Sequence, residues 1–306
     1  MLLNIILLVI GFVLLIRGAD AFVDSAAALA RRFNIPEIII GLTVVAMGTS
    51  APEVAVSVSS VLHGAGGVAL GNVLGSNIVN VLLVLGISSV ITPLVLQNKT
   101  IKYEIPFVIF ITLVLMWFGA TYGVINLVAA LVLLVLFVLF LGYLYFDTAQ
   151  ETLPAQKVSE KSLIKILVFL IIGLAALVFG SDLTVNSATK LADMLHVPNR
   201  IIGLTLIAFG TSLPELVTCI AAARKKHTGL IVGNIIGSNI FNILFVLGIT
   251  GLIRPIGFEY SFLIDAAIST FVMIMLWLIA LYTHKINRKA GVLFLICYAG
   301  YLWYLI

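Results

Sequence analysis

The sequence predicts an all-α polytopic membrane protein with ten transmembrane helices in two inverted five-helix repeats, each containing a helix broken near the bilayer midplane. Three observations predict this fold: the apolar composition, an internal repeat at a constant offset, and the distribution of basic residues among the loops. Of the 306 residues, 62% are hydrophobic and only 10% are charged, whereas about a quarter of residues are charged in soluble domains. A soluble fold is therefore excluded, and we expect a multi-pass protein of the cell membrane.

Apolar segments account for almost the whole chain, and each is near the roughly 20 residues that a helix needs to cross a bilayer. Each half of the chain contains five: 2–30, 38–62, 68–91, 105–120 and 123–145, then 163–190, 200–223, 230–253, 262–282 and 290–306. The polar stretch 146–162 separates the two sets, so we predict a first repeat at 1–145, a connecting loop at 146–162 and a second repeat at 163–306. We interpret segment 2–30 as a retained helix and not a signal peptide, because a similar segment recurs from residue 163.

The two halves repeat the same short motifs at one offset. Gly-Leu-Thr, Gly-Thr-Ser and Gly-Asn occur in both halves, each pair 162 positions apart: at 41 and 203, 48 and 210, and 71 and 233. With an odd number of helices per half, the second repeat enters the membrane from the opposite side. This is the inverted duplication that many secondary transporters use.

Basic residues test this topology independently, because loops on the cytoplasmic side carry an excess of lysine and arginine. With the amino terminus outside, the inward loops hold thirteen basic residues and the outward positions hold only Lys190, Arg200 and Arg254. We therefore expect both termini to be extracellular and the central loop to be cytoplasmic. The net charge of +4 follows from this topology, so no nucleic-acid partner is predicted.

The first repeated motif places a carboxylate in the middle of an apolar segment. Residues 44–55 read VVAMGTSAPEVA and residues 206–217 read LIAFGTSLPELV, with Glu53 and Glu215 at equivalent positions. A charged side chain at that depth costs about 3 kcal/mol on insertion scales, so both acids must avoid lipid. Pro52 and Pro214 cannot donate backbone hydrogen bonds, so we predict a break in each helix that frees carbonyls near 46–48 and 208–210.

Hydroxyl groups accompany each glutamate, because Thr49 and Thr211 precede them by four residues, on the same helix face. The second motif reads GNVLGSNIVN at 71–80 and GNIIGSNIFN at 233–242, and it places amides and hydroxyls at every fourth position: Asn72, Ser76 and Asn80, and Asn234, Ser238 and Asn242. Carboxylate, hydroxyl, amide and carbonyl oxygens are hard ligands of the kind that Ca²⁺ prefers. The two acids supply a charge of −2, enough to neutralise one divalent cation.

A kinked helix with Gly-Thr-Ser could also be a packing device, and asparagines also join helices by hydrogen bonds. The duplicated carboxylates favour a binding site over both alternatives. The remaining charged residues, cysteines and histidines do not indicate a binding site. We expect Asp20 to pair with Arg17. We expect Cys219 and Cys297 to be core residues, and the four histidines to form no ligand cluster. No H-E-x-x-H or G-x-S-x-G motif is present, so an enzyme is not predicted.

At these motifs the chain resembles the cation/Ca²⁺ exchanger superfamily, most closely the prokaryotic members of its Na⁺/Ca²⁺ exchanger branch. The resemblance implies that Glu53 and Glu215 are central carboxylates shared by Ca²⁺ and Na⁺, with segments 2–30 and 163–190 as a sliding gate. It implies these further ligands: Thr49, Ser50, Thr211, Ser212, the carbonyls of Ala46 and Ala208, Ser76, Ser238, Asn80 and Asn242. Ca²⁺ and Na⁺ are then transported ions, no organic cofactor is needed, and we expect a monomer in the bilayer.

One position departs from the family pattern. Many Na⁺/Ca²⁺ exchangers have an aspartate where this chain has Asn242, so this site holds two acids in place of three. Crowded carboxylates raise each other's affinity for protons, which leaves proton coupling open. We predict Ca²⁺/Na⁺ antiport by alternating access, with H⁺/Ca²⁺ antiport as the alternative and a passive cation channel as a further one that fits the duplication less well.

Overall fold

The structure is a computed structural model that describes residues 1–150, 162–194 and 208–305. The first half contains six helical segments: α1 (Leu2–Phe33), α2 (Glu37–Thr49), α3 (Ala51–Leu62), α4 (Gly66–Ile91), α5 (Thr100–Tyr122) and α6 (Leu127–Gln150). The second half contains six more: α7 (Leu163–Met194), α8 (Ala208–Gly210), α9 (Leu213–Arg224), α10 (Thr228–Ile253), α11 (Tyr260–Thr283) and α12 (Arg288–Leu305). Four two-residue strands lie in the loops: β1 (Leu94–Val95), β2 (Val124–Ile125), β3 (Ile256–Gly257) and β4 (Lys285–Ile286).

The chain is an all-helical polytopic membrane protein. Within the described ranges, seven helices are long and apolar enough to span a bilayer, and the bent pair α2 and α3 makes up to eight. The predicted count of ten is therefore not reached, partly because residues 200–207 of the predicted segment 200–223 lie outside the described residues. The predicted loop 146–162 begins later than expected, since α6 continues to Gln150, and residues 151–161 also lie outside the description.

Both predicted helix breaks are found, each at the serine two residues before the proline. Ser50 leaves helical geometry (φ −82°, ψ 11°) between α2 and α3, and the two helices meet at 45°. Ser212 has nearly the same backbone angles (φ −86°, ψ 5°) before α9. Pro52 and Pro214 then occupy the first turn of α3 and α9, where a missing N–H is tolerated.

Wide π-helical turns interrupt three of the central helices. They span Gly41–Val45 in α2, Asn80–Leu85 in α4 and Asn242–Val246 in α10. The latter two begin at equivalent asparagines of the repeated motif. Such turns occur frequently at functional sites, because the extra residue displaces backbone groups from the regular hydrogen-bond ladder. The sequence pattern does not predict these turns.

Small residues allow the helices of opposite halves to touch. A Cβ atom on Gly18 would lie 2.9 Å from the Ala176 Cβ, and one on Gly173 would lie 2.7 Å from the Phe22 backbone nitrogen, so α1 and α7 cross with their backbones in contact. Gly41 of α2 meets Gly233 of α10 in the same way, with a Cβ-to-Cα distance of 2.8 Å. α4 and α10 form the buried centre, whereas α1 and α7 expose most of their apolar surface.

Short strands join the loops of one half to those of the other. β1, between α4 and α5, pairs antiparallel with β4, between α11 and α12. β2, between α5 and α6, pairs antiparallel with β3, between α10 and α11. Loops that correspond in the repeat therefore do not meet: the α4–α5 loop contacts the α11–α12 loop and not its own counterpart, the α10–α11 loop.

Candidate cation site between the two halves

Two glutamates define the site. Glu53 lies in the first turn of α3 and Glu215 in the first turn of α9, and the residues are 1% and 0% exposed. Helix breaks immediately before each residue direct the positive end of a helix dipole towards the carboxylate, which stabilises a negative charge. The prediction that both acids avoid lipid is confirmed by this burial.

Hydroxyl groups orient one oxygen of each carboxylate. The Ser50 hydroxyl donates to Oε1 of Glu215 at 2.8 Å, across the two halves. The Ser76 hydroxyl donates to Oε1 of Glu53 at 3.3 Å, within the first half. Glu53 is therefore held by a hydroxyl of its own half, and Glu215 by a hydroxyl of the other half.

Several buried oxygens of the repeated motifs have no hydrogen-bond partner among the residues that the structure describes. They are Oε2 of Glu53, Oε2 of Glu215, Oγ of Ser212, Oδ1 of Asn80 and Oδ1 of Asn242. A buried polar atom without a partner costs about 1–3 kcal/mol, and more if it is charged. Four of the five atoms are acceptors that cannot donate when the acids are ionised. Bound cations would satisfy oxygens of this kind.

Thr49 and Thr211 each donate a hydrogen bond to an asparagine of the other half. The Thr49 hydroxyl donates to Asn234 Oδ1 at 3.1 Å, and the Thr211 hydroxyl donates to Asn72 Oδ1 at 3.3 Å. Because each threonine hydroxyl donates its proton to an asparagine, its oxygen lone pairs remain available to a cation. Ser238 donates to Asn234 Oδ1 at 3.4 Å and is fully buried.

Four asparagines form a second cross-linked layer. Asn80 Nδ2 donates to Asn239 Oδ1 at 3.1 Å, and Asn242 Nδ2 donates to Asn77 Oδ1 at 3.2 Å. Asn77 and Asn239 also donate to each other's backbone carbonyls, at 3.2 and 3.4 Å. These two residues were missed as site residues, although their position in both Gly-Ser-Asn triplets was a detectable signal. They fix the amide orientation of Asn80 and Asn242, leaving each Oδ1 without a partner.

The predicted backbone ligands are only partly described. The Ala46 oxygen, one of the carbonyls near 46–48 that the break was predicted to free, still accepts the Ser50 N–H at 3.0 Å, and its second lone pair remains for a cation. The helix continues through Thr49 and breaks at Ser50, within the predicted Gly-Thr-Ser segment. Ala208 begins α8, but its side chain lies outside the described residues.

Acidic residues contribute only this pair. In the described part of the chain, no group of three or more His, Cys, Asp or Glu side chains is arranged to hold a metal. Cys219 is buried and Cys297 is partly buried, as expected for core residues. The site is therefore built from two carboxylates, several hydroxyls and amide oxygens, a set suited to hard cations and not to soft metals.

Comparisons with known proteins identify the architecture. A sequence model of the family described as sodium/calcium exchanger protein matches residues 3–146 and 165–306, one match in each half. CaxA of Alkalimonas amylolytica, assigned by inference as an antiporter, is 39% identical over 319 residues, covering 98% of each chain. The sodium/calcium exchanger MaX1 of Methanosarcina acetivorans is 29% identical over 340 residues, covering 98% of this chain and 97% of that protein.

Solved structures agree with these relationships. The sodium-calcium exchanger NCX_Mj, soaked with zero Na⁺ and Ca²⁺, superimposes with a TM-score of 0.88 and 34% sequence identity, covering 100% of this chain and 99% of that chain. Other crystals of that exchanger were soaked with Na⁺ and Sr²⁺. The matched family is one of membrane ion transporters and not of enzymes. The chain belongs to the sodium/calcium exchanger protein family.

Proposed function

We propose that this protein is a secondary antiporter that exchanges Ca²⁺ for Na⁺ across the cell membrane by alternating access at the two-glutamate site. The observation that carries the proposal is the set of buried oxygens without partners, which includes one oxygen of each glutamate. Such atoms are stabilised when a cation binds and destabilised when the site is empty. The site therefore favours continuous occupation by one cation or another, as exchange requires.

The candidate ligands suit both ions. Ca²⁺ takes six to eight oxygen ligands in flexible geometry, and two glutamates neutralise its charge. The proposed ligand set comprises Glu53, Glu215, Thr49, Ser50, Thr211, Ser212, Ser76, Ser238, Asn80, Asn242 and the carbonyls of Ala46 and Ala208. Na⁺ would occupy the same oxygens after Ca²⁺ leaves, so competition for shared carboxylates couples the two fluxes. Ca²⁺ and Na⁺ are substrates here, and no organic cofactor is part of the proposal.

The proposed topology has ten spans in two inverted repeats, 1–145 and 163–306, with both termini extracellular and the 146–162 loop cytoplasmic. The strand pairing supports it. In an inverted duplication the α4–α5 loop lies on the same side as the α11–α12 loop, and these are the loops joined by β1 and β4. The α5–α6 and α10–α11 loops share the other side and are joined by β2 and β3. Labelling of terminal tags from the cytoplasmic side of intact vesicles would contradict this orientation.

Alternating access requires a part that moves and a part that stays fixed. α1 and α7 pack closely on each other and expose most of their surface, so they are suited to slide as a pair over the central helices. α4 and α10, which carry the asparagines, are the most buried helices and provide the fixed part. The mobile pair, α1 and α7, corresponds to the gate that the family resemblance implies for segments 2–30 and 163–190.

Uptake of ⁴⁵Ca²⁺ into proteoliposomes tests the coupling ion. We expect uptake when the vesicles contain Na⁺ and the outside does not, and no stimulation of uptake by a pH gradient in the absence of Na⁺. Uptake driven only by the pH gradient would overturn sodium coupling. Ca²⁺ entry that is the same with and without Na⁺ inside the vesicles, and independent of the internal pH, would indicate a passive channel.

Proton coupling is the second candidate, and one observation favours it. Both corner positions are amides, Asn80 and Asn242, so the site holds only two acids and each has an oxygen free to accept a proton. A proton could then replace Na⁺ as the competitor of Ca²⁺. The same uptake experiment separates the two ions.

We propose that the protein acts as a monomer, because the site is completed by two halves of one chain. No residue from a second copy is needed to supply a ligand. Light scattering of the detergent-solubilised protein after size-exclusion chromatography tests this, and a dimer as the smallest active species would contradict it.

A further inference from the structure

The two gate helices pack differently on the rest of the protein: the contact of α1 with α9 and that of α7 with α3 are related by the sequence repeat but are not equivalent. α1 packs on α9, and Thr218 of α9 is 2% exposed. The equivalent residue of α3, Val56, is 37% exposed. A cavity of about 510 Å³ separates α3 from α7 and is lined by Pro52, Val56 and Asp182 among others. The passage between α3 and α7 is therefore open, and the equivalent passage between α1 and α9 is closed.

An ion pair lies at the closed side. Lys225 caps the carboxyl end of α9, and its Nζ lies 2.9 Å from Oδ1 of Asp20 and 2.9 Å from Oδ1 of Asp24. It also donates to the Asp20 backbone carbonyl at 3.1 Å. Asp20 thus pairs with Lys225 and not, as predicted, with Arg17. The lysine ties the gate helix α1 to the end of α9.

The open side has the corresponding positions but lacks the contact. His63 caps the carboxyl end of α3, as Lys225 caps that of α9. The counterparts of Asp20 and Asp24 on α7 are Asp182 and Asn186, and Asn186 Nδ2 donates to Asp182 Oδ1 at 2.9 Å. His63 Nδ1 lies 2.8 Å from the Ser59 carbonyl. Within the described residues no ion pair joins His63 to α7.

We propose that Lys225 is a positioning residue of the exchange cycle, which through Asp20 and Asp24 holds α1 on α9 and stabilises the state open between α3 and α7. This inference rests on the alternating access proposed above. When the gate slides, the repeat predicts that α7 closes on α3 and brings His63 to Asp182 and Asn186. That contact is weaker, because a shorter side chain meets one carboxylate in place of two. The chain therefore rests with the α3–α7 passage open.

The solvent exposure of the ion pair determines how strongly it shifts the ratio of the two states. The side chains of Lys225, Asp20 and Asp24 are 27%, 40% and 53% exposed, and exposed ion pairs contribute little individually. Burial lowers the pKa of Lys225, but the hydrogen bonds that it donates to Asp24 and Asp20 outweigh this and raise the pKa overall. The lysine stays charged at neutral pH. Loss of the ion pair should shift the ratio of the two states by about two- to fivefold.

Cysteine labelling of the full-length protein in ion-free detergent solution tests the proposal. In a Cys219→Ser, Cys297→Ala background, Val56→Cys reports the open passage and Thr218→Cys, its counterpart, reports the closed one. We expect Lys225→Gln to raise the maleimide labelling rate at Thr218→Cys by about two- to fivefold and to lower the rate at Val56→Cys. His63→Lys should act in the same direction, and adding Asp182→Asn should reverse the effect of His63→Lys.

Arg224→Gln is the matched control, since Arg224 is the exposed last residue of α9, and among the described residues the ion pairs of Asp20 and Asp24 are with Lys225. Equal labelling in Lys225→Gln and Arg224→Gln would overturn the proposal. A rise at both reporter positions would also overturn it, because general loosening and not a shift between two states would then be the cause. The labelling experiment needs no ion gradient, so its outcome does not depend on the coupling ion. Proton-driven uptake would overturn the proposed sodium coupling, and the labelling experiment would still test the role of Lys225.

Discussion

Ser50 donates a 2.8 Å hydrogen bond to Oε1 of Glu215, so a hydroxyl at one helix break orients the carboxylate that follows the other break. The equivalent hydroxyl, on Ser212, has no partner in the described structure. The repeat therefore supplies two identical groups in different environments. This difference allows the role of each to be measured separately.

Ser50→Ala and Ser212→Ala should affect the empty protein differently. A hydrogen bond to a charged group contributes about 1.5–3 kcal/mol, so Ser50→Ala should lower the thermal stability of the ion-free protein. Ser212→Ala should leave that stability unchanged or raise it, because it removes a buried hydroxyl without a partner. Both variants should weaken Ca²⁺ binding, measured by calorimetry. Equal loss of ion-free stability in the two variants would contradict the hydrogen-bond assignment.

Glu53→Gln and Glu215→Gln should each abolish ⁴⁵Ca²⁺ uptake, because one remaining carboxylate cannot neutralise a divalent ion. The same variants should unfold at a higher temperature than the wild type without ions, since each removes a buried charge. Ca²⁺ at about 100 times the dissociation constant should stabilise the wild type by about 2.7 kcal/mol, and this stabilisation should be absent in both variants. Glu259→Gln, at the exposed start of α11, is the control and should behave as wild type. A glutamine variant with normal uptake would remove the assigned role.

Asn242→Asp should make stability depend on pH. Asn242 Nδ2 donates to Asn77 Oδ1 at 3.2 Å, and an ionised aspartate cannot donate. The introduced carboxyl should therefore be stabilised in its protonated form. Its contribution is favourable at low pH and is lost as pH rises through its folded-state pKa. Melting temperatures from pH 5 to 8 should converge on the wild-type values at the acidic end.

Asn80→Asp serves as the internal comparison, because Asn80 makes the equivalent hydrogen bond to Asn239 at 3.1 Å. It should show the same pH dependence. A deficit independent of pH in both variants would indicate that the amide network is not oriented as described.

Gly173→Ala should destabilise the gate. Its Cβ would lie 2.7 Å from the Phe22 backbone nitrogen, and backbone cannot move aside easily. Overpacking of this kind costs about 1–3 kcal/mol, so we expect a lower melting temperature and slower exchange. Gly142→Ala in α6 is the matched control, because no atom lies within 4 Å of its added Cβ. Alanine there should leave transport unchanged, and similar losses in both variants would argue against backbone contact between α1 and α7.

Much of the fold and of the site was predictable because both depend on local chemistry. Pro52 and Pro214 predict the breaks, and a carboxylate in an apolar segment predicts a buried polar site, whatever packs around it. The residues that were missed, Asn77 and Asn239, recur in both Gly-Ser-Asn triplets, but the hydrogen bonds between the halves through which they act depend on packing. The π-helical turns at Asn80 and Asn242 also depend on packing. The Asp20 ion pair was mispredicted because a neighbour on the same helix was preferred to Lys225, which is distant in sequence.

The pairing of β1 with β4 has a consequence for biosynthesis. β1 is complete once the α4–α5 loop has been made, whereas β4 is made only after α11. β2 likewise waits for β3, which follows α10. The early loops must therefore remain without their strand partners during translation until α10 and α11 have been made. A product truncated before β3 and β4 would carry unpaired strand edges on β1 and β2.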